Sequence, residues 1–139
     1  MTWWMYALLS AVAAAATAIL AKAGLAGVAP ALATAIRTTV VLVFSWGLVF
    51  ATGQHAALGD LRSRPILFLL LSGAATGVSW LSYFKALQLA PVSRVAPIDK
   101  LSLVFTVILA ILVLGESVSW RVALGIVLMI VGALVAAAP

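Results

Sequence analysis

The residues that could do chemistry in this chain are few, and three of them fall inside long apolar segments. Arg37 lies about eight residues into the second such segment, and Asp99 and Lys100 lie near the start of the fourth. An ionised side chain in a bilayer costs about 2.5–3.5 kcal/mol on insertion scales. Such residues tend to face a helix-bundle interior or a water-filled path. We therefore interpret Arg37 and Asp99 as candidates for ligand binding or charge coupling.

Structural explanations exist for the same residues and stay open at this point. Arg37 could snorkel to the interface, and Asp99 could cap a helix at the membrane surface, where the helix dipole favours an acid and disfavours Lys100. Because Asp99 and Lys100 are adjacent, helical geometry predicts that they do not face each other and that each needs a partner elsewhere. One hypothesis pairs Asp99 with Arg37. Pro97 predicts a helix start or a break at this point.

The third apolar segment combines small, polar and aromatic residues. Gly73 and Gly77 form a Gly-x-x-x-Gly face that permits close helix approach, and Thr76 and Trp80 continue the same helical stripe. This stripe could form one wall of a ligand cavity, or it could serve plain helix packing. Lys85, near the end of the segment, is interpreted as snorkelling.

Composition argues against several classes of protein. The chain has no cysteine, and its single histidine, His55, lies in a loop with no cluster of metal-binding spacing. It has no Gly-rich phosphate loop and no Ser/His/Asp set that fits one membrane plane. The eight lysines and arginines are scattered one or two per loop, which does not resemble a nucleic-acid-binding stripe. We therefore predict no enzyme, no cofactor, no metal and no nucleic-acid partner.

The elements that carry these residues must be membrane helices. Hydrophobic residues make up 66% of the 139 residues and charged residues 8%, with a mean hydropathy of +1.30. Only a lipid bilayer accommodates such a chain, and helices satisfy their own backbone there. We predict an all-α, polytopic membrane protein with one domain over residues 1–139. Its five transmembrane helices are predicted at about 3–21, 30–51, 66–88, 95–114 and 118–138. The fourth span could be broken, and Glu116 falls in the tight turn before the fifth, as a solvated charge.

Loop charges give almost no orientation signal. The N-terminal side carries Arg62, Arg64 and Arg121, and the other side carries Lys22, Lys85 and Arg94 once Arg37 and Lys100, which lie inside spans, are left out. An even balance predicts either a weakly specified topology or insertion in both orientations.

Several motifs are similar to those of a known family. They are residues 32–38 (LATAIRT), residues 80–88 (WLSYFKALQ), residues 95–102 (VAPIDKLS) and Leu114-Gly115-Glu116. Together they resemble the EamA-type domain of the drug/metabolite transporter superfamily over essentially the whole chain. The resemblance implies a permease in the cell membrane that works by alternating access. It also implies that five helices form one half of a ten-helix fold, so that a partner is needed, most simply an antiparallel second copy in a homodimer.

The resemblance also identifies cavity or gate candidates. The positions that match the family motifs are Arg37, Trp80, Tyr83, Lys85, Asp99, Lys100 and Glu116. Asp99 is expected to couple protons or balance charge, Arg37 and Lys100 to bind the substrate, and Trp80 and Tyr83 to line the cavity.

The substrate class is also suggested by what the first span lacks. That span contains no acid, whereas the related small multidrug exporters rely on a glutamate there. This departure argues against proton-coupled export of drug cations by that mechanism. The cationic interior, with Arg37, Lys85 and Lys100 against Asp99, favours an anionic or zwitterionic metabolite instead. The alternatives are a small multidrug cation exporter and a non-transporting membrane scaffold or accessory subunit.

Overall fold

The computed structural model describes residues 2–138, so Met1 and Pro139, the ends of the predicted single domain, lie outside the described residues. It contains five helical segments that are long and apolar enough to cross a membrane. They are Trp3–Gly24, Pro30–Ala51, Ser63–Leu89, Val92–Leu114 and Trp120–Ala137. Between residues 2 and 138 the chain forms no strand. The prediction of an all-α polytopic membrane protein is confirmed.

The first three spans are continuous helices, α1 (Trp3–Gly24), α2 (Pro30–Ala51) and α3 (Ser63–Leu89). Pro30 occupies the first turn of α2, where its missing N–H costs nothing. A short 3-10 helix, Gln54–Asp60, packs against α2 in the longest loop. The spans therefore begin and end where the sequence supplies proline, glycine or polar residues.

Several hydroxyl side chains inside the spans donate hydrogen bonds to carbonyls of their own helices. Thr34 Oγ1 donates to the Pro30 carbonyl at 2.8 Å, and Thr76 Oγ1 donates to the Ser72 carbonyl at 2.8 Å. Ser82 Oγ donates to the Val78 carbonyl at 2.9 Å. This bond to the residue four positions back removes an unpaired donor from the apolar phase. Thr76 and Ser82 of α3 thus need no second helix to satisfy their hydroxyl groups in the membrane.

The fourth span is broken. Its first part, α4 (Val92–Asp99), contains Pro97, and its second part, α5 (Ser102–Leu109), ends in a π-helical turn over Ala110–Leu114. Pro97 has no N–H to donate to the preceding turn. Beyond it the helix tightens, because the amides of Leu101, Leu103 and Val104 each donate to the carbonyl three residues back at 3.0 Å. Of the two outcomes predicted for Pro97, the structure shows the break, since α4 begins five residues before it.

Gly115 ends this span in the left-handed region, with φ +70°. The Gly115 amide donates to the Ala110 carbonyl five residues back and closes the π turn, and the Glu116 amide donates to the same carbonyl at 3.2 Å. The last span is α6 (Trp120–Ala137), and its N-cap residue is Ser119, whose Oγ accepts from the Val122 amide at 3.5 Å. A glycine at the left-handed position allows this reversal without the backbone strain that an L side chain would bear there.

A Gly115→Ala substitution is expected to lower the free energy of unfolding by about 1–2 kcal/mol, because the left-handed backbone is strained for an L side chain. Gly125→Ala is the matched control, since it lies within α6 and a Cβ at either position meets no atom within 4 Å. Alanine is the better helix former, so the control should be neutral or stabilising by up to about 1 kcal/mol. Reversible unfolding in mixed micelles measures the free energy of unfolding of both variants. Equal changes in the two variants would contradict the backbone strain attributed to Gly115.

The described chain divides into two packing units. One contains the residues up to Leu20 together with those from Ala86 onward, and in it α6 packs against α4 and α5. Its buried side chains are Leu87, Val95 and Ala133. The other is Ala21–Lys85, with Leu25 and Phe84 buried. Most remaining apolar side chains are exposed, as expected where lipid is the solvent.

Candidate functional site

Arg37 and Trp80 meet within the Ala21–Lys85 unit. The Cζ atom of Arg37 lies 3.2 Å from the centroid of the Trp80 ring, and both residues are half-buried. Arg37 is about 10 Å inside the first residue of α2, and Trp80 is about 13 Å from the last residue of α3. Consecutive spans run in opposite directions, so these two depths correspond to the same level of the membrane. The charge predicted to be costly in α2 is therefore held against an aromatic face of α3.

Trp80 belongs to an aromatic cluster with Tyr83 and Phe84. The Trp80 ring centroid is 5.8 Å from that of Tyr83 and 5.4 Å from that of Phe84, and both ring pairs are edge-to-face. Phe84 is 2% exposed, whereas Trp80 and Tyr83 are half-buried. Spacings of three and four residues place these rings on one face of α3. Phe84 thus supports the two aromatic residues that remain accessible.

Sequence reasoning missed Phe84. The signal that could have found it is its spacing of four residues from Trp80, which places both rings on the face of α3 that Arg37 meets.

Arg37 has no acid as its partner within its unit. Asp60, the one acid among residues 21–85, lies in the loop beyond the far end of α2. The Trp80 ring compensates part of the charge, but a ring face accepts none of the directional hydrogen bonds that five guanidinium N–H groups can donate. Within Ala21–Lys85 the site is therefore a cation with unused hydrogen-bonding capacity.

Asp99 and Lys100 form an ion pair in the other unit, which corrects the prediction that each needs a partner elsewhere. The Lys100 Nζ atom lies 3.6 Å from Asp99 Oδ2, and both side chains are partly exposed. Because α4 ends at Asp99, Lys100 occupies its C-cap, and the long lysine side chain can fold back. Asp99 is also at the end of a helix rather than near its start, so the helix dipole favours Lys100 and disfavours Asp99.

The remaining predicted residues lie apart from these two groups. Lys85 is exposed and lies about 140° around α3 from Trp80, on another face of the helix. Glu116 is exposed in the connection before α6. The structure thus groups Arg37 with Trp80 and Tyr83 in one unit, and Asp99 with Lys100 in the other. The Arg37–Asp99 pair stays a prediction, since its members belong to different units.

Five apolar spans, two of them with charged residues inside, define a polytopic membrane protein. The chain belongs to the EamA-like transporter family, which it matches over residues 1–138. It is also 47% identical over 136 residues to a protein of Sinorhizobium sp described as an uncharacterized transporter in the cobO 3' region. That alignment covers 98% of this chain and 96% of the relative. No solved structure matches the chain. The resemblance inferred from the motifs is confirmed.

Proposed function

We propose that this protein is a secondary transporter that moves small metabolites by alternating access, with two copies forming the path. The observation that carries the proposal is the Arg37 guanidinium, which lies inside a span against Trp80 with no acid to neutralise it in its unit. Intramembrane charges of this kind mark substrate or ion paths. Membership of a transporter family supports the same conclusion.

Two observations support the proposal of two copies. The Sinorhizobium relative, which is called a transporter, has nearly the same length. Along residues 2–138, a Cβ added at Gly73 or at Gly77 meets no atom within 4 Å. This small-residue face of α3 therefore has room for another helix. The even balance of loop charges supports a second copy in the opposite orientation.

The two groups of side chains, one around Arg37 and the other around Asp99, would have different roles in transport. Arg37 would bind the substrate, with Trp80 and Tyr83 lining the cavity beside it. Asp99 would couple transport to protons, because protonation removes its negative charge and with it the attraction for Lys100 at 3.6 Å. The broken backbone that follows Asp99 supports this role, since 3-10 segments inside helices often mark hinges.

A C-terminal fusion tests the antiparallel homodimer. Cytoplasm-active and exterior-active reporters are each fused after residue 139, and the signals are normalised to protein level. We expect comparable signals from both, because the loop charges favour neither orientation. Adding two lysines to the loop at 52–65 is the control and should shift the population to one orientation. Signal from a single reporter in the unaltered chain would exclude the inverted homodimer.

A further inference from the structure

Arg37 and Trp80 carry an inference about what is transported. We infer that this pair is a receptor for one carboxylate on a substrate with an apolar body, and that the protein therefore selects apolar monocarboxylates. The inference rests on the proposed transport function and adds a substrate class to it. It comes from three features of the Ala21–Lys85 unit, namely its charge, the geometry of the guanidinium and the aromatic surface beside it.

The first step is a charge balance. Among the charged residues of α2 and α3, Arg37 is the one that the structure places against the aromatic cluster, and Lys85 lies on another face of α3. One carboxylate neutralises one guanidinium. A dianionic phosphate would leave a net negative charge in the apolar phase, and an ammonium would add a second positive one, so both would be penalised by desolvation. The site therefore favours a monoanion.

The second step concerns the shape of the guanidinium. Arginine stacks on aromatic rings through its flat face and binds carboxylates through its N–H edge, so one side chain can do both. At 3.2 Å from the Trp80 ring centroid, Arg37 already makes the first contact. The stack fixes a long, flexible side chain before the ligand arrives, which reduces the entropy lost on binding.

The third step concerns the surface beside the charge. Trp80 and Tyr83 are half-buried and meet edge-to-face, so part of each ring remains accessible next to Arg37. Such rings offer apolar contact area to the body of a ligand whose carboxylate is held by the guanidinium. A small inorganic anion lacks that body and would lose this contact.

The test compares three ligands that share a phenyl group and differ in charge: phenylacetate, phenyl phosphate and phenethylamine. Binding to the purified full-length protein in lipid nanodiscs is measured by isothermal titration calorimetry near neutral pH. We expect phenylacetate to bind about ten-fold or more tightly than either of the others, since a hydrogen-bonded charge pair contributes that much.

Four variants separate the contributions of the Arg37 charge, of the paired N–H groups at the edge of its guanidinium, and of the Trp80 ring. Arg37→Gln is expected to weaken phenylacetate binding about ten-fold or more, because the positive charge is removed. Arg37→Lys is expected to weaken it as well, because an ammonium lacks the planar pair of N–H donors that matches a carboxylate. Trp80→Phe keeps a ring face and should have a smaller effect than Trp80→Leu. The matched control is Arg121→Gln, whose guanidinium carbon lies 5.8 Å from the Trp120 ring, and it should leave binding unchanged.

Tighter binding of phenyl phosphate or phenethylamine would overturn the inference, as would phenylacetate binding that is absent or insensitive to Arg37→Gln. The transport function is tested separately with proteoliposomes. Arg37-dependent binding without uptake of radiolabelled mandelate, a related monocarboxylate, would support the receptor and contradict transport of this class. Uptake of phenethylamine with no phenylacetate binding would support transport and overturn the receptor.

Discussion

Replacing Asp99 with asparagine is expected to abolish proton-driven accumulation of mandelate in proteoliposomes, a loss of about ten-fold for each pH unit of the imposed gradient if one proton is coupled. Asp99 is the one acid of the chain that lies within a span, because Asp60 and Glu116 are in loops. Asparagine keeps the size and hydrogen-bonding capacity of the side chain but cannot take up a proton. The measurement is radiolabelled uptake under an imposed pH gradient, with equal amounts of reconstituted protein.

Asp60→Asn is the matched control, since it makes the same change in a loop, and it should leave accumulation intact. Exchange of mandelate at equal pH should persist in Asp99→Asn, because Arg37 and Trp80 are unaltered. Full accumulation by Asp99→Asn would contradict coupling through this residue. Asp99-dependent uptake of tetraphenylphosphonium in place of mandelate would instead identify a cation exporter, and no flux of either probe would favour a scaffold role.

Truncating Phe84 to alanine is expected to lower the free energy of unfolding by about 3 kcal/mol. Phe84 is 2% exposed and its ring lies 5.4 Å from that of Trp80, so its removal leaves a cavity beneath the residue that holds Arg37. Loss of this support should also weaken phenylacetate binding. Reversible unfolding in mixed micelles measures the first effect, and calorimetry measures the second.

Phe44→Ala is the control for Phe84→Ala. Phe44 lies in α2 with 72% of its surface exposed, so lipid rather than protein surrounds it and no cavity forms on truncation. We expect a change of less than about 1 kcal/mol. Similar losses in the two variants would show that Phe84 does not support the aromatic cluster.

Local properties of the sequence were sufficient to predict the five spans and an all-α, polytopic membrane protein. Whether about 20 apolar residues form a membrane helix depends on hydrophobicity and on backbone hydrogen bonds within the segment, and both can be read without knowing any neighbour. The start of α2 at Pro30 and the turn at Gly115 are equally local, since each follows from the backbone preference of one residue. The intramembrane positions of Arg37 and Asp99 follow from the same spans.

Which side chains contact each other was decided by the tertiary structure and by side-chain conformation. The stack of Arg37 on Trp80 requires α2 and α3 to approach in one register, and no pattern within either helix specifies that register. The Asp99–Lys100 pair lies at the end of α4, where Lys100 stays in the right-handed helical region but the amides that follow bond three residues back, and the lysine side-chain conformation brings the two charges together. Burial of Phe84 rather than of the equally apolar Phe44 likewise depends on which helix face meets protein and which meets lipid. Hydrophobicity alone cannot distinguish these two environments, because lipid is as apolar as a protein core.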